Sequence, residues 1–289
     1  LRVDLLAGVA SGAPSRLHGR RPRIAVFDSG LGGLTVHAEI ARMLPGAEIS
    51  YLADTAVFPY GQLPEDVLVE RVAAVVGDMI LREQPDLVVI ACNTASTLAL
   101  PVLRARFSIP FVGTVPAIKP AAALSQSRLF SVLATPGTVA RDYTRELIDT
   151  HARDCSVTLV GSVGLARLAE AELRGESVPD HAISAEILPC FVEDNGRRTD
   201  AVVLACTHYP LLLDRLKALA PWPVTFIDPA PAIARRVAQL AGGAAVLVDA
   251  AVPARAMFTG AAPVSPALRA AMTARGFGAL QVAPQGQAA

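Results

Sequence analysis

Apolar residues in this chain fall into short continuous runs, and between those runs they recur every three to four positions. Continuous runs of β-branched residues read as strands buried on both faces, and the three-to-four spacing reads as helices with one buried stripe. Their alternation predicts parallel sheets flanked by helices. Two runs are near copies. Asp86-Leu87-Val88-Val89-Ile90-Ala91-Cys92-Asn93-Thr94 in the first half is matched by Asp200-Ala201-Val202-Val203-Leu204-Ala205-Cys206-Thr207-His208 in the second. Each is an Asp, an apolar run, Ala-Cys, then small polar residues.

The other elements are predicted around these two. Residues 23–27 form a strand, glycines 30, 32 and 33 a turn, and a helix runs to Leu44. A strand spans 48–52 and a helix 65–83, the latter with Val67, Leu68, Val72, Val75, Val76, Met79 and Ile80 on its core side. A helix over 95–107 has Pro101 near its start or at a kink, and a strand over 108–113 follows. The pattern then restarts with a strand at 129–134, a helix near 139–150, a strand at 156–160 and a helix at 165–173. Residues 181–193 read as helix broken near Pro189, and a helix after the second cysteine strand ends at Leu219. The tail carries a strand at 224–227, a helix near 233–240, a strand near Val246 and a helix near 266–275.

The fold class expected is α/β, with two similar lobes in pseudo-two-fold relation and the active site in the cleft between them. The first lobe is assigned 23–115 plus 226–283 and the second 116–225. Residues 1–22 are an N-terminal extension and 284–289 a tail, both expected to be disordered. The apolar piece at 5–10 is short and arginines follow it, which argues against an export signal.

The chain has 289 residues, 52% hydrophobic and 18% charged, enough for a large buried core. Lys plus Arg equals Asp plus Glu at 26 each, and no basic stripe stands out, so a nucleic-acid partner is not expected. No apolar run is long enough to span a bilayer. The four cysteines, Cys92, Cys155, Cys190 and Cys206, include no CxxC pair, which points to free thiols in a reducing, cytoplasmic setting without a zinc-type metal site.

In open parallel sheets chemistry sits past the carboxyl ends of the strands. Both copies therefore bring one thiol to such an edge, immediately before a helix start that favours the thiolate. Two thiols in one cleft suit inversion of a stereocentre, one removing a proton and the other supplying one on the opposite face. Asp28 and His208 are candidates to tune or relay protons, Asp28 for Cys92 and His208 for Cys206. Cys155 and Cys190 read as small buried apolar residues. Tyr60, in the rigid Phe58-Pro59-Tyr60-Gly61 loop, reads equally as a substrate contact and as a rim packing residue. Pyridoxal chemistry needs a lysine, and neither Lys119 nor Lys217 sits at a strand end. Chemistry without a cofactor is expected.

Val26-Phe27-Asp28-Ser29-Gly30-Leu31-Gly32-Gly33-Leu34, Pro59-Tyr60-Gly61, Cys92-Asn93-Thr94-Ala95-Ser96 and Cys206-Thr207-His208-Tyr209-Pro210-Leu211-Leu212 together resemble the glutamate racemase family. Leu133-Ala134-Thr135, Gly137-Thr138 and Asp228-Pro229 fit as well, so the resemblance runs from about Arg23 to about Phe277. It implies cofactor-independent interconversion of L- and D-glutamate, supplying D-glutamate for bacterial peptidoglycan. It implies that Cys92 acts on the D-enantiomer's α-proton and Cys206 on the L-enantiomer's. Asp28, Ser29, Tyr60, Gly61, Asn93, Thr94, Thr207 and His208 match substrate-contacting or relay positions. Thr135 and Thr138 match positions for a substrate carboxylate, and Glu170 a carboxylate near His208. Gly161-Ser162-Val163-Gly164 departs from the family by lacking the Cys-Pro usual before that helix. Family members are often homodimers, and some need a cell-wall precursor as activator. An aspartate or hydantoin racemase of the same superfamily, a cysteine hydrolase using Cys206 and His208, and a binding protein acting on DNA gyrase are alternatives.

Overall fold

The structure is a computed structural model and describes residues 20–242, 251–260 and 264–282. The predicted strand near Val246, nearly all of the N-terminal extension and the 284–289 tail lie outside the described residues.

The first half folds as alternating strands and helices: β1 (Arg23–Asp28), α1 (Leu34–Met43), β2 (Glu48–Ala53), α2 (Glu65–Glu83), β3 (Leu87–Ile90), α3 (Asn93–Arg106) and β4 (Phe111–Gly113). The second half repeats the scheme. It runs through α4 (Ile118–Leu124), β5 (Leu129–Ala134), α5 (Pro136–Val139), α6 (Asp142–His151), β6 (Ser156–Gly161), α7 (Leu165–Leu173) and α8 (Asp180–Ile187). A short hairpin of β7 (Glu193–Asp194) and β8 (Arg197–Arg198) precedes β9 (Ala201–Ala205), α9 (Leu213–Leu219) and β10 (Thr225–Ile227). The chain closes with α10 (Ala230–Leu240), β11 (Ala254–Phe258), α11 (Pro266–Thr273) and β12 (Phe277–Val282).

One six-stranded sheet has the order β12-β11-β2-β1-β3-β4, and a four-stranded sheet the order β10-β9-β5-β6. All pairs within these two sheets are parallel. The segment β2-β1-β3-β4 matches β6-β5-β9-β10 position for position, so each cysteine strand lies beside the first strand of its own half. This is the two-lobed α/β architecture expected.

Strand residues alternate between two apolar layers in each sheet. Ile24 and Val26 pack with Leu34, Ile40, Ile233 and Val237 on one face, while Ala25 and Phe27 pack with Leu68, Val72, Ala99 and Leu103 on the other. In the second sheet Val202 and Leu204 face Leu165, Ile183 and Leu216, while Ala201 and Val203 face Ile118, Ala121 and Ala122. A strand covered on both sides has no reason to alternate apolar with polar, which is why the runs are continuous.

Several expectations need correction. Pro101 lies in the interior of α3, not near its start. The helix expected near 139–150 is α6, and a short helix not anticipated, α5, precedes it, because Thr135 caps a turn through Thr138 N and the chain extends at Arg141 before α6 begins. Helix does not continue to 193. Pro189 ends α8 in a single 3-10 turn, and Asn195 and Gly196, both at positive φ, turn the β7–β8 hairpin. The small helix α4 and the strands β11 and β12 were not anticipated. β10 pairs with β9, so the chain returns to the first sheet only after Ile227, and a division at 225/226 would cut that strand.

Candidate active site

Cys92 is the N-cap of α3 and Cys206 directly follows β9, so topologically equivalent strands deliver the two thiols. Both are buried and line one small cavity of about 20 Å³. Ser29, Tyr60, Gly61, Asn93, Thr94, Thr135, Thr207 and His208 line it too. Asp28, Thr138 and Glu170 stand behind this wall.

Asp28 ends β1 and is fully buried. Its Oδ2 accepts from the N–H groups of Gly30 (3.2 Å) and Gly33 (3.1 Å), and its Oδ1 accepts from Thr207 Oγ1 across the cleft (3.2 Å). Burial pushes its pKa up, against the opposing pull of the His208 charge and these donors. Burial, followed by the Asp28 charge, pushes the Cys92 thiol up to about 12, partly offset by the Ala95 N–H and the Ser29 side chain. Cys92 is therefore held as a thiol.

The other side is built differently. His208 Nδ1 lies 3.8 Å from Cys206 Sγ, and Nε2 lies 3.1 Å from Glu170 Oε1. Burial opposes a charge on His208. Hydrogen bonds to Cys206 and Glu170, with the nearby Asp28 carboxylate, outweigh it and hold the imidazole well above its ordinary value. Burial also opposes ionisation of Glu170, but His208, the Leu31 N–H (2.8 Å) and Arg174 (2.9 Å) outweigh it and hold the carboxyl low. The protonated ring thus donates to Glu170, and the Gly32 N–H, 3.1 Å from Nε2, becomes its donor when the ring is neutral. Glu170 meets His208 despite the missing Cys-Pro ahead of α7.

The glycine loop after β1 carries these cross-lobe contacts because nothing larger fits. A Cβ on Gly32 would sit 2.5 Å from His208 Nδ1 and 2.6 Å from its backbone nitrogen, and one on Gly30 would sit 2.2 Å from Glu170 Oε1. Asn93 is buried at the cavity with both side-chain polar atoms unpaired. Such a group calls for a bound partner. Thr135 Oγ1 lies 3.4 Å from Thr94 Oγ1 and 3.0 Å from Thr138 Oγ1, tying β5's end to α3. Tyr60's hydroxyl is turned away to Asp54, which also binds Arg71 (2.7 and 2.9 Å) and Thr259 (2.5 Å).

Sequence reasoning missed Asp54 and Phe58. Asp54 directly follows β2, while Asp28 is the last residue of β1, and a carboxylate at each strand end was a usable signal. Phe58, whose ring lies 5.2 Å from the His208 ring, carried none. Among the described residues no group of three or more His, Cys, Asp or Glu is disposed to hold a metal ion.

Residues 35–237 match the family model described as Asp/Glu/Hydantoin racemase. The chain belongs to the Asp/Glu/hydantoin racemase family. A glutamate racemase from Brucella canis is 56% identical over 218 residues, covering 75% of this chain and 79% of its own. One from Sinorhizobium fredii is 56% identical over 218 residues, covering 75% and 82%. The solved glutamate racemase of Escherichia coli, in complex with L-glutamate and the activator UDP-MurNAc-Ala, superposes with a TM-score of 0.83 at 42% identity, covering 91% of this chain and 98% of that one. The chain is an amino-acid racemase, with the two-lobed fold of those enzymes. Among the described residues of this racemase, no helix is long and apolar enough to cross a membrane.

Proposed function

We propose that this racemase interconverts L- and D-glutamate with two cysteine acid/base groups and no cofactor. The observation that carries the reading is that Cys92 and Cys206, from equivalent strands of the two sheets, line the same buried cavity. An amino acid held between them presents its α-carbon to one sulfur on each face. In the L-to-D direction Cys206, with His208 Nδ1 3.8 Å from its sulfur, takes the α-proton. Cys92, held as a thiol, supplies the proton on the other face. In the D-to-L direction the roles reverse.

Asn93 is suited to the substrate's charged groups, as its amide atoms are otherwise unpaired. Ser29 and Asp28 serve Cys92, and Thr207, His208 and Glu170 serve Cys206. Thr94, Thr135, Tyr60 and Gly61 shape the remaining wall, and Thr138 positions Thr135. The glutamate assignment, over aspartate or a hydantoin, follows the curated relatives and the L-glutamate held by the Escherichia coli enzyme. On this reading the protein supplies D-glutamate for peptidoglycan in the cytoplasm and works as a homodimer. It responds to a cell-wall precursor of the kind bound to that relative.

Cys92→Ser and Cys206→Ser, followed by circular dichroism of either enantiomer, test the pair. Each should lose about 10²–10⁴-fold in rate, the scale of a positioned acid or base. Wild-type rates in either would overturn the proposal.

A further inference from the structure

The reaction cavity, at about 20 Å³, holds little more than one water. An amino acid with about ten non-hydrogen atoms needs several times the roughly 30 Å³ share of a single water. Some wall must therefore move before substrate can enter. Beside it lies a second, more open cavity of about 350 Å³, lined by Phe58, Arg167, Glu170, Arg174 and Glu176 among others. Among the described residues, Phe58 alone lines both.

We propose that the outer cavity is an approach site for the amino-acid substrate, and that the Phe58 ring is the partition through which it passes to the two thiols.

The walls of the inner cavity differ in what holds them. Tyr60 is tied to Asp54, and Asp54 to Arg71 and Thr259. Thr207 is tied to Asp28, His208 to Glu170, and Thr94 lies against Thr135. Displacing any of these breaks a polar contact in a buried setting, which is costly. The Phe58 ring has no polar atom. It is half-buried, and its ring contact is with His208 at 5.2 Å and 40°. A rotation of that side chain opens the wall without breaking a hydrogen bond, and side chains at a surface change rotamer rapidly.

The outer cavity is lined by charged groups of both signs. Glu170 is already engaged by Arg174 at 2.9 Å, by the Leu31 N–H and by His208. The outer cavity carries two arginines, Arg167 and Arg174, balanced by two glutamates, Glu170 and Glu176, with a protonated His208 behind the partition. An amino acid carries both an ammonium and a carboxylate group and finds counter-charges for each at such a lip.

The inference takes its substrate from the reading above, but it can be tested without turnover. Iodoacetate is a small anion that thiolates attack with loss of iodide, and mass spectrometry reads each cysteine separately. Ala171→Trp and Thr55→Trp fill the outer cavity at residues that do not line the inner one. Either should slow alkylation of both Cys92 and Cys206 about ten-fold or more and lower kcat/KM for both enantiomers by a similar factor. Phe58→Ala should speed alkylation of both. Cys155, outside both linings and partly exposed, should react at an unchanged rate and so reports intact folding. Unchanged rates at Cys92 and Cys206 in folded Ala171→Trp and Thr55→Trp, or no acceleration in Phe58→Ala, would overturn the route. Failure of the two-thiol reading has a different signature: alkylation follows the pattern above, yet a single-cysteine variant still racemises.

Discussion

At the residue scale the two thiols are unequal. Cys92 is pushed up to about 12 by burial and by the Asp28 charge, whereas Cys206 faces a protonated His208 braced by Glu170. Enantiomers have equal free energies, so any variant must lose kcat/KM equally in both directions, and the asymmetry appears elsewhere. His208→Asn should lower kcat/KM by about 10²-fold or more. It should also raise the α-deuterium isotope effect further for L-glutamate, whose proton goes to Cys206 in the proposed mechanism, than for D-glutamate. Initial rates with α-deuterated enantiomers check this, and equal changes would count against His208 serving Cys206. Asp28 yields a stability prediction. Its folded pKa is raised, so its favourable contribution is present below the unfolded value and is lost as pH rises through the folded one. At neutral pH the buried carboxylate is a burden. Asp28→Asn should therefore raise Tm at pH 7, with the gain vanishing near pH 3, while racemisation falls. A lower Tm at pH 7 would contradict this.

At the element scale the glycine loop between β1 and α1 joins the two halves of the site. Its glycines are not needed for left-handed backbone, since none is at positive φ. They are needed because His208 and Glu170 approach to within a side chain's radius. Gly32→Ala should cost about 1–3 kcal/mol from overpacking and lower activity about 10²-fold by displacing His208. Thermal denaturation and racemisation rates together check both parts. Near-wild-type values would mean that the lobes give way freely. The cysteine strands, this loop and α2 were legible because burial on both faces and helical periodicity leave strong marks in sequence. The hairpin at Asn195-Gly196 was legible in principle, but its strands are two residues each and carry no apolar pattern. The pairing of Tyr60 with Asp54, six residues earlier, was not legible, since it depends on how the loop between them turns back, which leaves no apolar pattern.

At the scale of the molecule, the repeat seen in two stretches of sequence is a repeat of topology, β2-β1-β3-β4 against β6-β5-β9-β10. The strands β11 and β12 of the return to the first sheet were less legible, because β11 carries Arg255 within its apolar run and β12 is half exposed. A cleft between lobes binds its substrate by linking them. Glutamate at about 100 times its Kd should thus stabilise the folded state by about 2.7 kcal/mol. For a chain of this size that corresponds to a rise in Tm of about 4–5 °C. Thermal scans with L-glutamate, D-glutamate and L-alanine check it, and an equal shift with alanine would contradict the substrate assignment. The central claim, two bases on opposite faces, is tested most directly by racemising L-glutamate in D2O and reading the α-position by proton NMR at low conversion. The account predicts D-glutamate carrying deuterium at the α-carbon, while the remaining L-glutamate keeps its protium. D-glutamate that retains the original α-proton would mean that one group carries the proton across, and would contradict the account.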